Sequence, residues 1–209
     1  MIVKEKYNKG GKFMGKERLI AFTDAVLAII MTILVLELEK PSAATWEAVW
    51  EIRMSFISYA ISFFWLGAMW VNLHNQWHNA EKVTNGVVWW NVIMLFFSSL
   101  IPYVTSYAGT YFHNAFAQCL YAVVVMLLTI SNIILCNELA HANSDDEHFF
   151  NSAHTLNKWM AADILMKIAG IILAWFVYPP AAMISICVAA FIPTLKLVHL
   201  HKNTVTKGE

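Results

Sequence analysis

Long apolar stretches separated by short polar ones dominate the pattern along the chain. A helix needs about 20 apolar residues to cross the core of a bilayer, and six stretches are close to that length or exceed it. The predicted spans are Arg18–Leu38, Trp46–Trp77 (most apolar over Phe56–Trp70), Gly86–Val104, Ala115–Leu139, Leu156–Tyr178 and Ala181–Val198. The pattern therefore predicts an all-α integral membrane protein, with residues 1–209 forming a single six-helix transmembrane domain.

Prolines and one polar stretch support the predicted ends. Proline cannot continue a helix without losing a backbone hydrogen bond. Pro41 therefore predicts an end to the first span, Pro102 closes the third, and Pro179 and Pro180 separate the fifth from the sixth. Pro193 is predicted to kink or end the sixth span. Residues 143–147, which are polar throughout, predict the connection between the fourth and fifth spans.

Composition agrees with a lipid environment. Hydrophobic residues make up 59% of the chain and charged residues 13%, whereas soluble domains carry about 25% charged residues. A formal net charge of zero gives no bulk attraction to nucleic acid. The three cysteines lie in apolar stretches without metal-ligand spacing, so neither a disulfide framework nor a cysteine-based metal site is expected.

The distribution of lysine and arginine predicts the orientation. With six spans, both termini lie on one side of the membrane, and positive charge marks the cytoplasmic side. That side holds Lys4, Lys6, Lys9, Lys12, Lys16, Arg18, Lys82, Lys158, Lys196, Lys202 and Lys207, against Lys40 and Arg53 on the other. We therefore expect a multi-pass protein of the plasma membrane, with a basic N-terminus (1–17) and a C-terminus (199–209) that are both cytoplasmic.

The first predicted span contains an acidic residue. Asp24 lies several residues into the apolar stretch, where a lone carboxylate costs a few kcal/mol. Arg18 and Asp24 are six positions apart and do not share a helical face. Each is therefore expected to meet another helix, with a purely structural role as the simplest interpretation.

An aliphatic stripe follows on the same span. Ile29, Ile33 and Leu36 share one helical face, and Thr32 on the adjoining strip has the only hydroxyl in that stretch. Such a stripe, taken alone, is far more often a packing surface than the lining of a pore.

Other polar residues near the span ends are candidates for contacts between helices. Asn72 and His74 are candidates to satisfy Asp24 or Arg18, and Asn91 and Ser98 share a face that can bond a neighbouring helix. His74 and His78 have the spacing of two metal ligands on one helix, but a third ligand is needed, from His141, His148 or His154. Hydrogen-bonded interfacial histidines are the favoured interpretation, so no metal site is predicted.

The fifth predicted span contains a potential ion pair. Asp163 and Lys167 are four positions apart and are able to neutralise each other within one helix. A structural pair is favoured over a proton or ion pathway.

Several segments resemble the transmembrane protein 175 family. The segment Arg18-x-x-x-Phe22-Thr23-Asp24 is similar to its Arg-x-x-x-Phe-Ser-Asp signature, with threonine in place of serine. Trp70-x-Asn72-x-His74 is similar to its second-helix motif, where Leu73 replaces a histidine. Trp90-Asn91 and the segment from Phe97 to Pro102 resemble its third-helix motif. The resemblance covers about the first half of the chain.

Membership of that family implies a potassium-preferring cation leak channel, with K⁺ and other monovalent cations as permeant partners. It implies a homotetramer in the lipid bilayer, whose first helices line a central pore without a re-entrant filter loop. Ile29 is then the hydrophobic constriction, Thr32 the hydroxyl layer, and Ile33 and Leu36 the rest of the lining. The implied inter-helix network at the cytoplasmic end comprises Arg18, Phe22, Thr23, Asp24, Trp70, Asn72, His74, Asn91 and Ser98.

Two other classes of protein are weighed against a channel. A proton-coupled cation transporter would use Asp24, His74 and the Asp163–Lys167 pair, but broken helices and inverted repeats are not evident. A membrane enzyme or haem protein would use His74, His78 or His113. The sequence contains no phosphate-binding loop, dinucleotide turn or nucleophile elbow, so neither an enzyme nor a cofactor is predicted.

Overall fold

The structure, a computed structural model, describes residues 15–189 of the chain, without the side chains of residues 79, 147–159 and 161. Several predictions fall outside this part of the chain. They are the basic N-terminus up to residue 14, the kink at Pro193, the end of the sixth span and the C-terminal segment 199–209.

The described residues are almost entirely helical, which confirms the all-α part of the predicted fold class. The helices are α1 (Lys16–Leu36), α2 (Trp46–Glu51), α3 (Arg53–Asn79), α4 (Asn85–Ser99), α5 (Ile101–Thr110), α6 (Ala115–Ala142) and α7 (Glu147–Phe176). Residues 181–189 form a further helical segment.

Four segments in the described part of the chain are long and apolar enough to cross a membrane. They are Lys16–Leu36, Arg53–His78, Asn85–Thr110 and Ala115–Ala142. Helix α7 and the segment 181–189 lie where the fifth and sixth spans are predicted. A count of six spans stays a prediction.

The predicted second span is two helices. Thr45 caps α2 by accepting a hydrogen bond from the backbone N–H of Ala48. Ile52 separates Glu51, the last residue of α2, from Arg53, the first residue of α3. Of the predicted second span, α3 is the part that is long and apolar enough to cross a membrane.

The prediction that Pro102 closes the third span is wrong. Pro102 lies in the first turn of α5, where its missing N–H has no intrahelical partner to lose. The break between α4 and α5 is one residue, Leu100, with helical backbone angles. The segment therefore continues to Thr110 instead of ending at Val104.

Helix α6 lies at the centre of the bundle. It packs against α4, α5 and α7, while α1 packs against α3, α4 and α5. The inner face of α1 is formed by Leu19, Leu27, Ile30 and Leu34, which are at most 4% exposed. Burial of this stripe fixes the rotation of α1 about its own axis, and with it the residues that point away from the bundle.

Two glycines permit close approach between helices. A Cβ atom at Gly109 of α5 would lie 2.8 Å from Cα of Ser55 in α3, and one at Gly170 of α7 would lie 2.0 Å from Oγ of Ser185. Small residues at such crossings let helix backbones approach closely in a bilayer.

A buried hydroxyl cluster joins three helices at the same level. Thr105 of α5 donates to Ser62 of α3 at 2.8 Å, and the hydroxyls of Ser62 and Tyr121 of α6 are 2.9 Å apart. The sequence reasoning did not single out these residues, because isolated hydroxyls in apolar helices carry no spacing signal.

Candidate functional site

One side of α1 is left uncovered by the other residues that the structure describes. We call it the outer face of α1, formed by Phe22, Ala25, Ile29, Thr32 and Leu36, all exposed and spaced alternately by three and four residues. Ile29 is 58% exposed and Leu36 79% exposed. Three of the four residues predicted to line a pore therefore lie on one exposed stripe.

Ile33, the fourth predicted lining residue, is half-buried beside this stripe. Its neighbour Thr32 donates its hydroxyl hydrogen to the carbonyl oxygen of Ile29, at 2.7 Å. Since a hydroxyl oxygen has two acceptor lone pairs, Thr32 still presents an acceptor on the exposed side. The outer face thus presents aliphatic side chains and one hydroxyl oxygen, that of Thr32.

The inner side of α1 carries the first polar contact between helices. Thr23 is 1% exposed and donates to the carbonyl oxygen of Leu19 at 2.8 Å. It also accepts a hydrogen bond from Nδ2 of Asn91, at 2.8 Å. Asn91 is itself fully buried, and this contact links α1 to α4.

Asp24 makes the second contact between helices. Its Oδ1 atom accepts a hydrogen bond from Nε1 of Trp70 in α3, at 2.8 Å. The expectation that Asp24 meets another helix is confirmed, but the donor is Trp70 and not Asn72 or His74. His74 packs its ring against Trp70 instead, with ring centroids 5.5 Å apart.

The remaining members of the predicted network lie elsewhere. Arg18 and Phe22 are exposed. Asn72 faces a small cavity between α3, α6 and α7. Ser98 is buried and donates to the carbonyl oxygen of Met94 in its own helix, at 2.9 Å. The described contacts therefore bring together Thr23, Asp24, Trp70, His74 and Asn91, and not the other four.

The Asp163–Lys167 pair forms within α7, as predicted. Lys167 is 1% exposed, and its ammonium group also donates to Oγ1 of Thr129 in α6, at 2.6 Å. The ammonium lies over the ring of Trp65 in α3, 5.2 Å from the ring centroid. The pair therefore joins α7 to α6 and α3.

A polar clamp at the other end of α6 was missed by the sequence reasoning. Asn143 is 6% exposed. Its Oδ1 accepts from the backbone N–H groups of Glu81 and Lys82, at 2.8 and 2.7 Å. Its Nδ2 donates to the carbonyl oxygens of Lys82 and Leu139, at 3.0 and 2.8 Å. Such a clamp has no sequence signature, because the 143–147 stretch looks like any polar loop.

Two lysines complete this end of the bundle. Lys16, at the start of α1, donates to the carbonyl oxygen of Ala80. Lys82 pairs with Asp145 on the surface, and their hydrogen bond and mutual attraction raise the pKa of Lys82 and lower that of Asp145. The first turn of α1, the loop before α4 and the loop after α6 are thereby held together.

No group of three or more histidine, cysteine, aspartate or glutamate side chains within the described residues is arranged to hold a metal ion. The side chains of His148 and His154 are outside the description. The groups described above, on the outer face of α1 and in the contacts between helices, are therefore aliphatic, hydroxyl, amide, aromatic and ion-paired.

The chain is similar to known proteins along most of its length. Residues 18–102 match the family described as the endosomal/lysosomal potassium channel TMEM175. A protein named potassium channel from a Chryseobacterium species is 34% identical over 173 residues, which cover 81% of this chain and 88% of that protein. A potassium channel from Streptomyces collinus is 29% identical over 118 residues, covering 54% of this chain and 57% of its own.

A solved structure gives the same fold. The crystal structure of a lysosomal potassium-selective channel TMEM175 homolog from Chamaesiphon minutus matches with a TM-score of 0.67 at 21% sequence identity. The match covers 87% of this chain and 97% of that one.

Proposed function

The chain belongs to the TMEM175 family of potassium channels, as a prokaryotic member and an ion channel rather than an enzyme, and we propose that it is a potassium-preferring cation leak channel. In this proposal K⁺ and other monovalent cations permeate along the axis of a homotetramer of six-span subunits. Both termini are cytoplasmic and the membrane is the plasma membrane.

The observation that carries the proposal is the outer face of α1. It is largely apolar and is not covered by the other described residues, and its Ile29, Thr32 and Leu36 follow one stripe. Four such faces around an axis give stacked rings of isoleucine, threonine and leucine. Their shared axis would be the permeation path, without a re-entrant filter loop.

The proposed chemistry of the path follows from these side chains. A ring of Ile29 side chains narrow enough to exclude water closes the path by dewetting. The Thr32 ring supplies hydroxyl oxygens that replace part of the hydration shell of a cation. Ile33, half-buried beside the stripe, and Leu36 complete the lining.

Thr23 and Asp24 support this arrangement from the opposite side of the helix. Thr23 bonds Asn91 of α4, and Asp24 bonds Trp70 of α3. Both contacts resist rotation of α1, so they hold the outer face in one orientation. A small rotation or splaying of α1 is the proposed opening motion, and these contacts limit it.

Ion flux tests the proposal. Purified protein in liposomes is given a potassium gradient, with sodium as the comparison and with the proton gradient collapsed. We expect flux that follows the electrical gradient and prefers potassium. Flux that appears only with a proton gradient would favour the alternative, a proton-coupled cation transporter.

Substitution of Ile29 tests the constriction. Ile29→Asn puts a polar amide into the proposed dewetted ring, so we expect a larger cation leak than in the unchanged protein. Ile172→Asn is the matched control, because Ile172 of α7 is 53% exposed but is not on α1. An unchanged leak in the Ile29 variant, or an equal rise in both, would overturn the assignment of Ile29.

A further inference from the structure

A second polar region lies inside the subunit, away from the outer face of α1. A half-open cavity of about 60 Å³ lies between α3, α6, α7 and the segment 181–189. Its walls include Trp65, Met69, Asn72, Asn132, Asp163 and Lys167. Lys167, a charged side chain that is 1% exposed, thus borders a cavity of the helix bundle.

Some polar groups around this cavity are already paired. Lys167 donates hydrogen bonds to Asp163 and to Thr129. The hydroxyl of Thr129 in turn donates a hydrogen bond to the carbonyl oxygen of Val125, at 3.0 Å. These contacts use two of the three ammonium hydrogens.

Other polar groups at the cavity lack adequate partners within the described residues. Asn72 makes no hydrogen bond there, and Asn132, only 5% exposed, meets just the sulfur atoms of Met160 and Cys136, at 3.9 and 3.8 Å. The only described donor to Asp163 is Lys167, at Oδ2. The amide of Asn132 is buried, and the amide of Asn72 and the carboxylate of Asp163 are partly buried. Amides and carboxylates removed from water without hydrogen-bond partners cost free energy, so partners are expected.

The charges around the cavity select the chemical class of the occupant. A cation is disfavoured because the Lys167 ammonium already neutralises Asp163, and an anion is disfavoured because Asp163 repels it. An apolar occupant would leave the amides unpaired. A neutral molecule that both donates and accepts hydrogen bonds fits all the groups.

We propose that this half-open cavity is a hydration site that binds a small cluster of water molecules against Lys167, Asp163, Asn72 and Asn132. Water supplies the missing donors and acceptors in one neutral molecule. A cavity needs roughly 10–15 Å³ to hold one water molecule, so a cavity of about 60 Å³ accommodates several.

Radiolytic footprinting tests the proposal, because hydroxyl radicals generated from bound water oxidise the side chains that touch it. The full chain in lipid nanodiscs receives microsecond X-ray pulses, and oxidation is read by mass spectrometry. Met69 and Trp65, each 7% exposed, report on the cavity, while the buried Met94 and Trp77, at 0% and 2%, are matched controls of the same residue types. We expect Met69 and Trp65 to be oxidised about tenfold faster than the controls.

Oxidation of all four side chains at the same slow rate would overturn the proposal. Ala68→Leu is the second arm, because Ala68 lines the cavity and the added carbons fill it. This variant should lower the oxidation of Met69 and Trp65 to the control rate. Fast oxidation that persists in a folded Ala68→Leu protein would also overturn the proposal. Where that variant does not fold, the comparison within the unchanged protein decides. The readout does not depend on potassium flux, so the hydration site and the proposed channel are tested separately.

Discussion

Two threonines nine residues apart on α1 meet different surroundings. Thr23 and Thr32 each donate to a carbonyl oxygen of their own helix, at 2.8 and 2.7 Å. Thr23 is buried and also accepts from Asn91, whereas Thr32 is exposed on the outer face of α1. The same residue type in the same helix therefore contributes to packing on one side and is available for function on the other.

The difference follows from rotation about one helix axis. The leucine stripe of the inner face is buried against α3, α4 and α5, so polar groups on that side need partners from neighbouring helices. No helix between residues 15 and 189 covers the outer face, so the Thr32 hydroxyl on that face is exposed and needs no partner from a neighbouring helix. Mutations on the two sides should separate stability from conduction.

The largest expected loss of stability is at Thr23. Thr23→Val removes the acceptor for Nδ2 of the fully buried Asn91, whose Oδ1 already has no partner in the described structure. Hydrogen bonds between membrane helices contribute about 1–2 kcal/mol at most, and we expect a loss of that size. Thermal unfolding in detergent measures it, and stability equal to that of the unchanged protein would contradict the role given to the Thr23–Asn91 contact.

A smaller loss is expected at Trp70. Trp70→Phe keeps the aromatic packing against His74 but removes the donor to Asp24. Because Trp70 is 37% exposed, solvent or lipid headgroups compensate in part, and we expect about 0.5–1 kcal/mol. A loss greater than that of Thr23→Val would reverse the proposed ranking of the two contacts.

The matched substitution on the outer face should scarcely change stability. Thr32→Val is the same chemical deletion as Thr23→Val, but at an exposed site, where changes are usually within about 0.5 kcal/mol. We expect instead a lower preference for potassium over sodium, measured by flux in liposomes. Unchanged selectivity together with unchanged stability would remove Thr32 from the proposed permeation path.

The smallest effect is expected at the surface pair of Lys82 and Asp145. The lowered pKa of Asp145 means that its contribution is present above its ordinary pKa and is lost as the pH falls below about 4. The raised pKa of Lys82 means that its contribution is lost only as the pH rises through that raised value. Both side chains are exposed, so screening keeps the effect small.

Asp145→Asn tests this pair. Unfolding is compared between the variant and the unchanged protein from neutral pH down to about 3, and at low and high salt. The two proteins should differ slightly at neutral pH and converge in acid. A difference that grows as the pH falls would have the wrong sign for an ion pair.

The sequence by itself determined the helical membrane character and the most apolar spans. Apolar length and charge depletion set these features locally, since a helix satisfies its own backbone hydrogen bonds in lipid. The motif around Arg18, Thr23 and Asp24 also gave the family. The i, i+4 pairing of Asp163 and Lys167 needed no tertiary information because both ends lie on one helix.

Only the tertiary structure decided which partner each polar group meets. Trp70 rather than Asn72 or His74 bonds Asp24, and Asn143 clamps a loop distant in sequence. Pro102 lies in the first turn of α5 rather than ending a span, because a proline in a first turn and one after a last turn look alike in sequence. Such outcomes depend on the rotation and crossing of packed helices, and spacing within a single helix does not specify how neighbouring helices meet it.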